Sequence, residues 1–234
     1  MQIPMRCRYR IRFAKMGDLR WIGHHDLARM WERIFRRAGV ALAMSQGFHP
    51  KARISFPVSL PLGMVGCREL LEVELTEAID PEELRRRLAA QAPEGLAVLS
   101  VEALPPQAPK AQVAATWYEL VVPELCRAET AVRVEQLRTA VRWPYQRRED
   151  QRWIDIRADL LHLEWDGQKL VFALRHHHHA ATRPRDLLDV LGLDAQQTSG
   201  LVIYRTDVEL APREPDETSL ARKEHPLHEK RNAH

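Results

Sequence analysis

Apolar and polar residues alternate from Arg6 to Lys15. Cys7, Tyr9, Ile11 and Phe13 fall on one face of an extended segment, and Arg6, Arg8, Arg10 and Arg12 fall on the other. The pattern predicts a strand with one face for a core and one cationic face. Gly17-Asp18 ends it. From Gly23 onward the period changes. Leu27, Met30, Trp31, Ile34, Phe35 and Ala38 recur at helical spacing, with Asp26 in the first turn and Gly39 as the stop. Arg29, Arg33, Arg36 and Arg37 lie off that apolar stripe.

Ile54, Phe56, Val58 and Leu60 alternate again. Pro57 and Pro61 remove ladder donors there, which predicts an edge strand. Leu71, Val73 and Leu75 alternate with Glu72 and Glu74 as a third strand. Asp80-Pro81 opens a second helix, with Asp80 as cap and Leu84 and Leu88 on its core side. Leu96 to Val101 reads as a fourth strand. The order strand, helix, strand, strand, helix, strand is the split βαβ, ferredoxin-like pattern, with helices on one sheet face and the other face open.

The run PPQAPKAQV over 105–113 reads as a connector. The pattern then repeats more weakly. Thr116 to Val122 predicts a strand, and Ala128 to Val141 a helix with Ala131, Val134, Leu137 and Val141 inward. Leu160–Trp165 and Lys169–Leu174 predict a hairpin around Asp166-Gly167. A helix runs from Arg183-Pro184 to Leu191, stopped by Gly192, and a strand from Leu201 to Leu210. The stretch from Trp143 to Arg157 fits no element. Beyond Pro212 the chain is polar and aperiodic, which predicts a disordered tail. The expected organisation is α+β: two tandem ferredoxin-like (βαββαβ) domains over 5–104 and 115–211, a linker over 105–114, and a tail over 212–234.

Composition adds bounds. The chain has 234 residues, 45% hydrophobic and 29% charged, as in ordinary globular proteins. No apolar run reaches the ~18 residues that span a bilayer. The start MQIPMRCRYR lacks the apolar core of a secretory signal. Cys7, Cys67 and Cys126 include no CxxC pair, which argues against a disulfide framework and a cysteine-built metal site. These features predict a cytoplasmic protein with no cofactor, no metal and no membrane contact.

Charge changes the picture further. Residues 1–60 carry twelve Lys/Arg against three Asp/Glu, whereas residues 61–111 carry five against nine. A basic face confined to one region is the footprint of a polyanion binder. The expected nucleic-acid contacts are Arg6, Arg8, Arg10 and Arg12 on the first strand, with Lys15 and Arg20 beyond it. Two glutamates opposite four arginines leave positive charge over. The alternative is a solvated ladder of Arg–Glu pairs.

The densest polar cluster is SQGFHPKARISFPVSLPLG, Ser45 to Gly63. Gly47 permits a tight turn. Ser45 and Gln46 can hydrogen-bond a base or ribose, and His49, Lys51 and Arg53 can bind phosphate. In the opposing view, Phe48 anchors a passive loop in the core. His24, His25, Asp18, Asp26 and His49 together offer an acid/base constellation, with His49, His24 and Asp26 the candidates for metal-independent RNA cleavage. His176 to His179 read as surface decoration. Trp117, Trp143, Trp153 and Trp165 read as core, whereas Trp21 fits either base stacking or a core lid.

The strings FAKMGDLRWIGHHDLARMWERIFRRAG, SQGFHPKARISFPVSLPLG and ELLEVELTEAIDPEEL, in that order, resemble the radical-SAM-associated family of unknown function. Its members are free-standing or follow a radical-SAM domain, and they are linked with ribosomal and RNA-processing functions. Gly23 stands where that family has a serine cap, and Ala52 where proline is common. The CxxxCxxC run of a radical-SAM domain is absent, so such chemistry would belong to a separate partner protein. The resemblance implies an RNA-binding accessory. An RNA-processing endonuclease and a protein–protein adaptor are the alternatives.

Overall fold

The computed structural model describes residues 6–176, 182–193 and 200–212. Among these, ten strands and five α-helices follow in the order β1 (Cys7–Lys15), α1 (His24–Arg37), β2 (Ile54–Ser55), β3 (Val65–Leu75), α2 (Pro81–Ala89), β4 (Leu96–Leu104), β5 (Val113–Val121), α3 (Glu124–Thr139), β6 (Pro144–Gln146), β7 (Trp153–Asp155), α4 (Ile156–Asp159), β8 (Leu160–Trp165), β9 (Lys169–Arg175), α5 (Pro184–Val190) and β10 (Tyr204–Leu210). A 3-10 turn, Gly17–Trp21, links β1 to α1.

Eight strands form one sheet in the order β4-β1-β3-β10-β5-β9-β8, with β2 paired to β3 on the side away from β1. All pairings in it are antiparallel except β3 with β10. The sequence predicts two separate sheets; the chain instead builds one α+β sheet that runs through both halves. The predicted helices are present, with shifted ends. Asp80 caps α2 by accepting from the Glu82 and Glu83 amides, each at 3.0 Å. On α1, Leu27, Met30, Trp31, Ile34 and Phe35 are buried as expected. Val141 departs from the expectation: α3 ends at Thr139, and Val141 lies beyond it, exposed.

The second strand is also shorter than its alternation suggests. Only Ile54 and Ser55 pair with β3, because Pro57 and Pro61 cannot donate. The segment after them joins two cores. Phe56 packs against the core under α1, which centres on Ile11, Phe13, Trp31 and Leu71. Leu60 and Met64 lie in the other core, with Tyr118, Leu137, Phe172 and Leu187. Each such side chain contributes on the order of 1.5–3 kcal/mol by leaving water.

Trp143 to Arg157, which has no readable period, is ordered by polar pairs. β6 and β7 form a small hairpin. Arg147 reaches from it to Asp186 on α5, with Nε and Nη2 at 2.8–3.1 Å from the carboxylate. Tyr145 donates to Asp189 at 2.9 Å, and burial with that carboxylate pushes the phenol up to about 12. Three-residue strands held by distant side chains leave no alternation to read. Of His176 to His179, only His176 lies within the described residues, and the predicted tail lies outside them beyond Pro212.

The seam between the halves is narrow. β3 and β10 pair only at Tyr204–Val65 and Arg205–Gly66. On the core side, Arg205 and Glu69 form an ion pair that is 1% and 3% exposed, with Arg205 Nε 2.8 Å from Glu69 Oε1. Arg205 also donates to the Ser59 carbonyl at 3.0 Å. Burial opposes the Arg205 charge, and Glu69 more than offsets it, so its pKa stands above the ordinary value. Gly66 is required beside this pair, because a Cβ there would stand 2.5 Å from Glu69 Cγ. On the opposite face, Arg12 donates to the Val208 carbonyl at 2.7 Å and meets Asp207 at 3.3 Å.

Both the seam and the cap can be tested by unfolding. Arg205→Ala, which strands a buried carboxylate, is expected to cost ~3–5 kcal/mol in urea unfolding, whereas Glu69→Leu with Arg205→Met recovers most of that loss. Asp80→Ala is expected to cost about 1 kcal/mol by the same measurement, through loss of the cap.

Candidate nucleic-acid interface

The cationic face of β1 is not a bare platform. Arg6 lies 3.6 Å from Glu74, Arg8 3.3 Å from Glu72 and Arg10 2.8 Å from Glu72. Arg10 also lies 3.7 Å from Glu102 on β4, and Arg12 pairs with Asp207 on β10. The sequence offers only Glu72 and Glu74 as partners; sheet order brings two more carboxylates from strands far along the chain. Burial lowers the Arg12 pKa, against the pull of Asp207.

The connector also lies across this face. β4 ends on one side of β1 and β5 begins beyond β10, so residues 105–112 must cross the sheet between them. Arg8 donates to the Ala108 carbonyl, and the Ala111 amide donates to Glu72 at 3.3 Å. The proline-rich run is therefore a strap over β1 and β3. Arg8, Arg10 and Arg12 have side chains only 17%, 11% and 18% exposed. The expectation of an open arginine platform is overturned by these pairs and this cover.

Lys15 also departs from its expected role. Lys15 is buried, its ammonium donating to the Ile22 carbonyl at 2.9 Å, and burial lowers its pKa despite nearby Glu69. Alternation would place Lys15 on the core side, and after the bulge between Phe13 and Lys15 it pairs in register with Gly66. Arg20 lies over the Trp21 ring, 5.0 Å from its centroid. Trp21 is 59% exposed and rests one edge against Gly63, whose left-handed φ of +83° and lack of a side chain permit the approach.

The Ser45–Lys51 segment is a closed, projecting hairpin tip. The Ser45 amide donates to the Lys51 carbonyl at 2.8 Å, and the Lys51 amide donates back to Ser45 Oγ at 2.9 Å. Met44 and Ala52 bridge just below. The hairpin base is tied to the end of β3 through Ala43, Arg53 and Glu74. Gly47 takes φ +130°, as its place in the tip requires. Gln46, His49 and Lys51 are exposed. Phe48 is 102% exposed, so it anchors nothing in the core. Arg53 is withdrawn from the tip by its 3.4 Å pair with Glu74.

Along the chain, α1 leads into this hairpin. His25, Arg29, Arg33 and Arg36 follow one another on it at spacings of four, four and three, and all are exposed. Arg29 lies 3.9 Å from Asp26, while Arg33 and Arg36 have no carboxylate partner among the described residues. His24 meets Phe56 edge-on at 5.2 Å and His25 at 5.8 Å. Among the described residues, no hydrogen bond or ion pair joins His24 or Asp26 to His49. Nor is any group of three His, Cys, Asp or Glu among them placed to hold a metal ion.

Sequence reading missed Glu102, Asp207 and Lys110. The first two neutralise β1, and their register is decided only by strand order. Lys110 sits in the strap, where composition alone signals a linker. Phe48 could have been flagged, since it lies between glycine and proline-bounded polar residues with no apolar period around it.

No curated protein matches the chain. A solved structure described as an unknown protein from Galdieria sulphuraria aligns over 89% of this chain and all of its own, at 10% identity and a TM-score of 0.25, too low to support an inference. No helix among the described residues is long and apolar enough to cross a membrane. A family model described as "Uncharacterized protein conserved in bacteria (DUF2344)" matches residues 8–184. That span takes in the sheet strands from β1 to β9, the strap and the hairpin tip but not β10, and the chain belongs to the DUF2344 family.

Proposed function

We propose that the protein binds RNA through the outer face of α1 and the Ser45–Lys51 hairpin tip. The observation that carries this reading is Phe48. A phenylalanine wholly in water at the apex of a hydrogen-bonded hairpin, with His49 and Lys51 beside it, suits stacking on a base with phosphate contacts alongside. Stacking requires an unpaired base, so the target is a single-stranded or looped segment. Arg29, Arg33 and Arg36 supply sequence-independent backbone contacts. Trp21, with Arg20 over its ring, offers a second exposed aromatic ahead of the first turn of α1.

Each half orders its strands fourth-first-third-second, which supports reading them as two fused ferredoxin-like units. In this reading the sheet is scaffold, and recognition lies on a helix and a loop. The sequence likeness alone supplies the setting: an accessory in ribosomal or transfer-RNA processing, working with a separate radical-SAM protein. A protein-adaptor role has one supporting observation, the exposed apolar pair Phe48 and Met44.

Phe48→Ala is expected to weaken binding to single-stranded RNA by ~1–3 kcal/mol in filter binding, with unchanged thermal stability. Wild-type affinity in that variant would remove the tip from the RNA site and leave the adaptor reading. The Arg33→Ala/Arg36→Ala double variant is expected to flatten the dependence of log affinity on log salt by about 1.4, at ~0.7 for each phosphate no longer neutralised, whereas Arg6→Ala leaves that slope unchanged.

A further inference from the structure

The strap encloses space as it crosses the sheet. A cavity of about 700 Å³ opens on one side of it, lined by Arg10, Lys110, Gln112 and the apolar Pro109, Ala111 and Leu210 among others. A second of about 400 Å³ lies on the other side, and its walls include Arg8, Arg53, Glu72, Glu74 and again Lys110. Lys110 is the shared wall. The larger volume is that of a small-molecule site, typically ~300–1,000 Å³.

The charges in these walls do not cancel. With the groups paired to them beside the walls, Arg6, Arg8, Arg10, Arg53 and Lys110 meet Glu72, Glu74 and Glu102, which leaves two positive charges. Glu72 is shared between two guanidinium groups: it accepts from Arg8, Arg10 and the Ala111 amide. Lys110 has no carboxylate partner among the described residues. Arg10 has a side chain only 11% exposed. A nearly buried guanidinium and a free ammonium, sharing too little negative charge, call for a dianion. A phosphate monoester carries nearly two negative charges at neutral pH and accepts the paired donors of arginine. The proline, alanine and leucine walls suit an organic group attached to it.

We propose that the strapped cavities form one binding site for a small organic phosphate, with the phosphate between Arg10 and Lys110. The site is separate from the hairpin tip and the outer face of α1. The strap is tethered to the sheet by few polar bonds, chiefly Arg8 to Ala108 and Ala111 to Glu72, so it can lift to admit a ligand and close on it.

The test is calorimetric titration of the full chain with phenyl phosphate, with phenol as the uncharged control. Expected is saturable binding of phenyl phosphate alone, weakened tenfold or more in Lys110→Ala, retained in Lys110→Arg and unchanged in Arg33→Ala. Amide exchange at Lys110, Ala111 and Gln112 should slow when the ligand is bound. Absence of saturable binding, wild-type binding by Lys110→Ala, or equal weakening in Arg33→Ala would each overturn the proposal. None of these results bears on RNA binding, which Phe48 tests independently.

Discussion

The Glu69–Arg205 ion pair is the interaction on which the architecture turns. Two half-sheets meet along β3 and β10, yet only two residue pairs of backbone ladder join them. So short a parallel contact cannot align a sheet by itself. The side chains complete the joint from both faces: Arg205 and Glu69 on the core side, Arg12 with Asp207 and the Val208 carbonyl on the other. A buried pair of this kind holds its register because a slip strands two charges away from water. Arg205 also binds the Ser59 carbonyl, which fixes the segment that carries Phe56 into one core and Leu60 and Met64 into the other. One guanidinium thus ties together both half-sheets and the chain that bridges their cores.

The seam also decides where recognition can occur. Once β10 stands beside β3, the connector from β4 to β5 has to cross the open face. It covers the arginines of β1, whose charges are then met by Glu72, Glu102 and Asp207. The strongest electrostatic signal in the chain is consequently internal. What stays in water is the arginine stripe of α1 and a hydrogen-bonded hairpin tip with an aromatic apex. The functional reading moves from the sheet to these two elements because the fold uses the β1 cations to fasten itself.

Local chemistry was legible wherever a short-range rule sufficed. The alternation of β1, the apolar stripe of α1, the Asp80 cap, the Asp166-Gly167 turn and the edge position of β2 all follow from neighbours a few residues apart. Asp166 accepts from the amides of Gln168 and Lys169 in that turn, as such a turn asks. The β6–β7 hairpin was not legible, because Arg147 and Asp186 are 39 residues apart and nothing local marks either as buried. Phe48 shows the same limit in reverse: an aromatic residue suggests a core, and only the closed hairpin shows that no core is within reach.

Outside the stretch from Trp143 to Asp159, the sequence by itself determined which segments are helical and extended, which faces of them are apolar, and that the first sixty residues are basic. Those are properties of periods and counts, fixed by side-chain direction along a helix or strand. Tertiary structure alone decided that two repeated patterns share one sheet, that the linker is a strap, and which of the β1 cations meet a carboxylate. Each of these depends on partners brought together from opposite ends of the chain, and a carboxylate can neutralise an arginine only once the fold sets them within a few ångströms of each other.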